Sequence, residues 1–266
     1  MDWTLAAQAF LLGLVEGLTE FLPVSSTGHL IVLSDLFGSN DDKGKVLAIV
    51  IQLGAILAVC WEQRQRFALA LGGWRGDAQQ RRFLANLGVA FVPAGLVGFF
   101  FASAIKGHLY NPQVVAIALL VGAGLIFAVE GWYARRAPRV QSIDAMRWPD
   151  ALKVGLVQCL ALIPGTSRSG ATILGGMAFG LSRTVATEFS FLLAVPMMVA
   201  ASAYQGIRHR ELFTAADLPY VAIAFVMSFV AGLASVRWLL RYIAAHDYRP
   251  FAWYRIALAV AILAYF

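Results

Sequence analysis

Long apolar stretches dominate the chain, and polar residues are concentrated between them. A helix that crosses a bilayer needs roughly 20 mostly apolar residues. Six stretches of this kind, each predicted to form one transmembrane helix, lie near residues 46–61, 83–105, 112–134, 183–205, 217–240 and 251–266. Two further apolar stretches, residues 4–37 and 150–181, are interrupted in the middle by proline, glycine and clustered hydroxyl residues. Because proline and glycine break helices, the two interrupted stretches are each predicted to be a re-entrant, broken helix.

Composition supports this picture. Of the 266 residues, 60% are hydrophobic and 14% are charged. A soluble domain averages about 45–50% apolar and about 25% charged residues. The chain is therefore predicted to be a single all-α integral membrane domain over residues 1–266. No basic run precedes the first apolar stretch and no small-residue cleavage site follows it, so a cleaved signal peptide is not expected.

The net charge of +6 comes mainly from arginines at the ends of spans, where they mark topology and contact anionic headgroups, so nucleic acid is not an expected partner. The two most basic loops carry Arg64, Arg66, Arg75, Arg81 and Arg82, and Arg135, Arg136, Arg139, Arg147 and Lys153. The positive-inside rule places both loops in the cytoplasm and both termini outside, with Arg208 and Arg210 as exceptions.

The two broken segments resemble each other. Residues 13–18 can be laid on residues 155–160, and in each case proline, hydroxyl residues and glycine follow, with a difference of one residue between proline and glycine. Under the predicted topology they enter from opposite sides, which indicates an inverted-topology repeat with halves 1–134 and 150–266. A chance likeness stays open because the match is short. Irregular backbone at membrane depth must be satisfied by protein or trapped water, so the two breaks are predicted to face each other inside the bundle.

Two acidic residues stand just before the first break. Glu16 and Glu20 are four positions apart and share one helix face. An ionised carboxylate at membrane depth costs about 2.5 kcal/mol or more, so the pair needs compensation. A divalent cation such as Mg²⁺ would supply it. The alternative is that both glutamates bind neighbouring helices, or that one is protonated.

Hydroxyl groups and a histidine follow the first break. Ser25, Ser26 and Thr27 are consecutive, and His29 is the only side chain of this segment that titrates near neutral pH. Ser26 or a water could act as the nucleophile, and Glu20 or His29 could transfer the proton. The alternative is a helix N-cap with a structural histidine.

An arginine marks the second break. Arg168 lies between Ser167 and Ser169, before Gly170, and its guanidinium could grip phosphate oxygens in bidentate fashion. The amides at the start of the next helix would add to the attraction of an anion. The alternative is an arginine that snorkels to the membrane interface.

Taken together, the segment EGLTEFLPVSSTGH (residues 16–29), the segment PGTSRSGAT (residues 164–172) and residues 188–196 resemble the bacterial undecaprenyl-diphosphate phosphatase family, over nearly the whole chain. The resemblance implies hydrolysis of undecaprenyl diphosphate to the monophosphate and phosphate, which recycles the lipid carrier for cell-wall synthesis. It also implies bacitracin resistance, a divalent cation, Mg²⁺ or Ca²⁺, and an inner-membrane enzyme whose active site faces the periplasm.

By position in these motifs, the resemblance marks the acidic pair as catalytic and metal-binding, Ser26 and His29 as reacting groups, and Arg168 with Ser167 as the phosphate clamp. The remaining predicted phosphate ligands are Ser25, Thr27, Ser169 and Gly170. A transporter or lipid flippase is the competing hypothesis, since broken helices that meet in inverted repeats are typical of secondary transporters. The oligomeric state is open, with a homodimer as one possibility.

Overall fold

The protein is all-α in the computed structural model, which describes residues 2–39, 42–208 and 216–266. The α-helices are α1 (Trp3–Thr19), α2 (Ser26–Leu36), α3 (Asp42–Glu62), α4 (Arg64–Gly73), α5 (Ala78–Leu109), α6 (Pro112–Tyr133), α7 (Trp148–Gln158), α8 (Arg168–Ala178), α9 (Arg183–Arg208), α10 (Leu218–Ile243) and α11 (Arg249–Tyr265). Two short 3-10 helices span Ile143–Ala145 and Cys159–Leu162. The predicted helical fold class is confirmed.

Four of the described helices are long and apolar enough to cross a membrane, namely α5, α6, α9 and α10. Their surfaces carry large apolar side chains that point away from the protein, including Phe99 and Phe100 at 74% and 70% exposure. The other two predicted spans, 46–61 and 251–266, fall on α3 and α11, and the total of six spans stays a prediction. Of the basic residues used to predict the topology, Arg210 lies outside the described residues.

Both broken segments are confirmed as breaks. The first apolar stretch is divided between α1 and α2 by a turn over residues 20–25. In the second, α7 tightens into the 3-10 helix Cys159–Leu162 before a turn leads to α8. Pro23 and Pro164 stand in these turns, where proline cannot continue a helix.

The two turns have the same backbone geometry. Ser25 and Ser167 are the non-glycine residues of positive φ in the described chain, at 70° and 71°. Each caps the following helix, accepting the N–H of Gly28 at 3.4 Å and of Gly170 at 3.1 Å, respectively.

Pairing these two serines extends the match between the segments without a gap. In this alignment Glu16 corresponds to Gln158, and Gly28 corresponds to Gly170. The difference of one residue between proline and glycine therefore arises because the two prolines occupy different positions in turns of equal length. Pro23 corresponds to Gly165, whose φ is 89°.

Each broken segment packs against a helix of the other half of the chain. The first runs along α10 and the second along α5. Glycine permits both close approaches: a Cβ at Gly13 would lie 2.2 Å from the carbonyl oxygen of Ala224, and one at Gly155 would lie 2.4 Å from that of Ala90. Helices α6 and α11 pair beside the turns and form a common wall for them.

Candidate active site

The two turns are in direct contact, as the sequence predicted. The hydroxyl of Ser169 in the second turn donates to the carbonyl oxygen of Leu22 in the first, at 2.9 Å. The Arg168 guanidinium also crosses between the segments and donates to Glu20 at 3.3 Å. Residues that are almost 150 positions apart in the chain therefore share one buried site.

Glu20 lies at the centre of this site. Its Oε2 accepts a hydrogen bond from the hydroxyl of Ser26 at 2.6 Å, while its Oε1 accepts from Nη2 of Arg168. Glu20 is 8% exposed, and hydrogen bonds to ionised groups are stronger than those between neutral groups. One carboxylate thus holds a hydroxyl from the first segment and a cation from the second.

Arg168 is supported from a third direction. Its Nη1 donates to the carbonyl oxygen of Ser190 in α9 at 3.0 Å, and its guanidinium lies 5.8 Å from the ring centroid of Phe21. The hydroxyl of Ser190 is hydrogen-bonded in turn to Thr172 at 2.6 Å. The alternative of an arginine that snorkels to the membrane surface is therefore wrong.

Glu16 lies one helical turn before Glu20 and is 1% exposed. Its Oε2 has no hydrogen-bond partner among the described residues. Glu16 interacts electrostatically with Glu20 and Arg168. With both carboxylates ionised, this group of three would carry a net negative charge that a cation would offset. The alternative that both glutamates hydrogen-bond to neighbouring helices is not supported for Glu16 Oε2, and the alternative that one of them is protonated stays open.

His29 is held between the backbone and an aromatic residue that the sequence analysis missed. Nδ1 bonds to the carbonyl oxygen of Ser25 at 2.8 Å, so Nδ1 carries a proton, because a carbonyl can only accept. Nε2 lies 2.7 Å from the hydroxyl of Tyr254, and the two rings stack with centroids 5.6 Å apart. The hydrogen bond to the Ser26 hydroxyl is made by Glu20 and not by this histidine.

The other predicted phosphate ligands mostly hold the turns in shape. Ser25 and Ser167 are helix caps, and the hydroxyl groups of Ser167 and Ser169 lie 3.0 Å apart. Gly170 donates its N–H to the second cap, and Thr27 is half-buried next to the first. Within the predicted set, Arg168 is the side chain that reaches the carboxylate centre, and the phosphate-binding roles of the others stay predictions.

Comparison with known proteins identifies the family of this chain. Residues 9–261 match the family described as bacitracin resistance protein BacA. The chain belongs to the BacA family. Relatives named undecaprenyl-diphosphatase are 54% identical in Azotobacter vinelandii, 53% in Nitrosospira multiformis and 51% in Cupriavidus metallidurans. Each match covers 99% of this chain, and 95%, 96% and 96% of the respective relative. The predicted family is confirmed.

The candidate site of this BacA-family chain contains a second arginine, which is not among the predicted site residues. Arg255 in α11 is 0% exposed. Its guanidinium donates to backbone carbonyl groups of both turns and of α6, namely Pro23 at 3.2 Å, Gly165 at 3.2 Å, Thr166 at 3.2 Å, Ala118 at 3.0 Å and Leu119 at 3.1 Å. Gly122 leaves room for it, since a Cβ there would lie 2.1 Å from Nη2.

Arg255 is therefore a positioning residue that holds the two turns against one wall. Its partners are carbonyl oxygens, and none of the hydrogen bonds described for it goes to a carboxylate. The signal in the sequence was a single arginine inside the otherwise apolar stretch 251–266, since a charge at membrane depth indicates a buried role.

Proposed function

We propose that this chain hydrolyses undecaprenyl diphosphate to undecaprenyl phosphate and inorganic phosphate, and thereby supports resistance to bacitracin. Membership of the BacA family and the names of the relatives support the substrate and the reaction. The observation that carries the proposal is Glu20, which binds the Ser26 hydroxyl with one oxygen and the Arg168 guanidinium with the other. A nucleophile, a proton acceptor and an anion-binding cation thus meet in one place.

In the proposed reaction the Ser26 oxygen attacks the terminal phosphorus and its proton passes to Glu20. The bond between that phosphorus and the bridging oxygen breaks, and undecaprenyl phosphate leaves with the bridging oxygen. Water then attacks the phosphoserine and releases phosphate, which regenerates the hydroxyl. The alternative is direct attack by a water, with Glu20 or His29 as the base. The 2.6 Å contact between Ser26 and Glu20 favours the serine route.

Arg168 is proposed to bind the terminal phosphate. A guanidinium matches phosphate oxygens in a bidentate geometry and offsets charge as the phosphoryl group transfers. Its location supports this role, because α8 begins at Arg168 as α2 begins at Ser26. Helix N-termini present free N–H groups and attract anions, so two of them next to the reacting residues favour a diphosphate.

A divalent cation, Mg²⁺ or Ca²⁺, is proposed at Glu16 and Glu20. The partnerless Oε2 of Glu16 supports the fit. The described residues contain no cluster of three or more His, Cys, Asp or Glu side chains suited to a metal ion, and Mg²⁺ commonly uses one or two carboxylates together with substrate phosphates and water. When bound, the cation would neutralise negative charge on the diphosphate.

The chain is further proposed to lie in the inner membrane with the site facing the periplasm, and its halves 1–134 and 150–266 are proposed to be inverted-topology repeats. The gapless match of the two segments, their common turn and the reciprocal packing against α10 and α5 support the repeat. The basic loops around Arg66 and Arg139 support the orientation. An enzyme embedded in the bilayer suits a substrate whose polyprenyl tail stays there.

The test is phosphate release from a polyprenyl diphosphate by purified protein in detergent. Wild-type protein should release phosphate with Mg²⁺ or Ca²⁺ and lose this activity with a chelator. Arg168→Ala and Ser26→Ala should be inactive, whereas Glu62→Gln, a carboxylate paired with Arg237 near the end of α3, should retain activity. Activity close to wild type in both site variants would remove these residues from the mechanism. A phosphorylated Ser26 trapped from labelled substrate would decide between serine and water as the nucleophile.

A further inference from the structure

A cavity lies far from the site described above. It has a volume of about 360 Å³ and opens between the ends of α6 and α8 and the start of the loop that follows α6. The lining residues that matter here are Trp132, Arg136, Arg139, Lys153, Phe179 and Gly180. None of these residues takes part in the proposed reaction.

The distance from the active site follows from α6. Its residue Leu119 gives its carbonyl oxygen to Arg255 beside the two turns, and Trp132 lies 13 residues further along the same helix. At 1.5 Å per residue this separation is about 20 Å, which is most of the thickness of a bilayer core. The cavity is therefore at the opposite end of the helical bundle.

The cavity is positively charged. Arg139 donates to the carboxylate of Asp150, which offsets one charge. Arg136 and Lys153 have no carboxylate within ion-pair distance among the described residues. The residues that line the cavity include neither aspartate nor glutamate. Two cations thus face this space without a protein counter-charge.

Aromatic rings fix where these two cations lie. The Arg136 guanidinium is 4.9 Å from the ring centroid of Trp132, and the Lys153 ammonium is 5.5 Å from that of Phe179. Cation–π contacts of this kind hold the long side chains over the rings without removing their charge. Tryptophan at the end of a span is typical of the membrane interface, where headgroups lie.

The wall of the cavity is held by backbone hydrogen bonds. The N–H groups of Arg139 and Val140 both donate to the carbonyl oxygen of Gly180, at 2.8 and 3.0 Å. Ser182 donates back to Val140 at 2.8 Å. Gly180 has a φ of 96°, a conformation that glycine adopts without strain. The loop after α6 is thereby fastened to the turn between α8 and α9, and the cavity has a defined shape.

We propose that this cavity binds the phosphate-bearing headgroup of an anionic phospholipid. Basic pockets between transmembrane helices bind such headgroups on the cytoplasmic side. Arg136 and Lys153 supply the charge for the phosphate, while Trp132 and Phe179, which are 37% exposed each, offer apolar surface to the acyl chains. The site is independent of the proposed hydrolysis, and its placement in the cytoplasmic leaflet rests on the proposed orientation.

The experiment compares phosphatidylglycerol with phosphatidylcholine on the full chain in detergent, with retained lipid counted by native mass spectrometry and thermal stabilisation measured in parallel. Wild-type protein should retain phosphatidylglycerol over phosphatidylcholine. The double variant Arg136→Gln/Lys153→Gln should bind phosphatidylglycerol about tenfold to thirtyfold more weakly, from the loss of two basic residues near an anionic headgroup. The matched control is Arg75→Gln/Arg135→Gln, which removes the same charge from exposed residues outside the cavity and should bind like wild type.

Phosphate release from a polyprenyl diphosphate should be the same in both double variants and in wild type, which shows that each is folded. The proposal is overturned if the cavity variant binds phosphatidylglycerol like wild type, if the control loses binding equally, or if phosphatidylcholine is retained as well. Stabilisation by inorganic phosphate alone that depends on Arg136 and Lys153 would also overturn it, because the site would then serve a free anion.

Discussion

The first and second broken segments share a backbone but differ in chemistry. Both turn at a serine of positive φ, and both restart a helix one residue later. In the first segment the equivalent positions carry Glu16, Glu20 and Ser26, whereas in the second they carry Gln158, Leu162 and Arg168. The first segment thus supplies the two carboxylates and the hydroxyl, and the second segment supplies the cation.

The common turn thus determines where the backbone breaks and restarts. The chemistry of each segment depends on which side chains it carries around that turn. Glu16 and Gln158 illustrate this, since each is 1% exposed and each has a side-chain oxygen without a described partner. One is ionisable and the other is not. A pair of identical turns would place two like charges against each other, while unlike turns allow Glu20 to meet Arg168.

The largest expected effect comes from the residue that joins the segments. Glu20→Gln keeps the shape but removes the proton acceptor for Ser26 and the charge that pairs with Arg168. We expect kcat for phosphate release to fall by about 10²- to 10⁴-fold, the range for loss of a general base. Glu62→Gln is the control and should retain its activity. A fall in kcat of less than threefold in Glu20→Gln would contradict the proposed division between the segments, because the chemistry would not then depend on the carboxylate of the first segment.

The next effect separates Glu16 from its counterpart. Glu16→Gln makes the first segment resemble the second and removes one proposed carboxylate ligand. We expect the Mg²⁺ concentration for half-maximal activity to rise about tenfold, equivalent to about 1.4 kcal/mol of binding free energy. Gln158→Leu is the matched control at the equivalent position and should leave the metal dependence unchanged. An identical shift in both variants would mean that neither residue acts through the metal.

A smaller effect tests the feature that the segments share. Replacing Ser25 or Ser167 by alanine removes a helix cap and should destabilise the protein by about 1 kcal/mol at either position. Glycine at the same positions also removes the cap, but it relieves the positive φ, which costs about 1–3 kcal/mol in other residues, so it should be nearly neutral. Thermal unfolding in detergent measures both. If alanine were tolerated better than glycine at one serine only, the turns would not be equivalent.

The smallest effect concerns the loop that leads into the second segment. There the Arg66 guanidinium donates to Asp144 and holds the pKa of that carboxyl below its usual value. A lowered pKa stabilises the folded state above the ordinary aspartate pKa of about 4, and this contribution is lost as pH falls through the lowered value. Asp144→Asn should therefore reduce stability by less than about 1 kcal/mol at neutral pH.

The difference between wild type and Asp144→Asn should shrink below about pH 4. Thermal unfolding across pH 3 to 7 provides the measurement. A difference that stays constant across this range would show that the loop does not depend on the ionised carboxylate.

Local sequence signals predicted the parts of this site that depend on neighbouring residues. Pro23 and Pro164 marked the breaks because each stands beside glycine and clustered hydroxyl residues. Proline alone does not suffice, since Pro93 and Pro196 lie inside α5 and α9. The spacing of Glu16 and Glu20 placed both on one face, because residues four apart in a helix lie one above the other. The meeting of the two turns followed from the need to satisfy irregular backbone inside a membrane.

The contacts that span the chain could not be predicted in the same way. Tyr254 reaches His29 across 225 positions, and Arg255 reaches Pro23 across 232. A single sequence carries no direct signal of such pairings, because they depend on which helices become neighbours. The choice between Glu20 and His29 as partner of Ser26 was left open for the same reason: it is decided by which side chain turns toward the hydroxyl.

Arg255 has a consequence for the order in which the protein is made. A lone arginine at membrane depth costs about 2.5–3.5 kcal/mol when helices enter the bilayer. Its carbonyl partners belong to residues synthesised long before it, at positions 23, 118–119 and 165–166. The hydrogen bonds from this guanidinium to the two turns can therefore form only after α11 has docked. A nascent chain that still lacks this helix contains every proposed reacting group of the site, but it lacks the arginine that bonds to both turns.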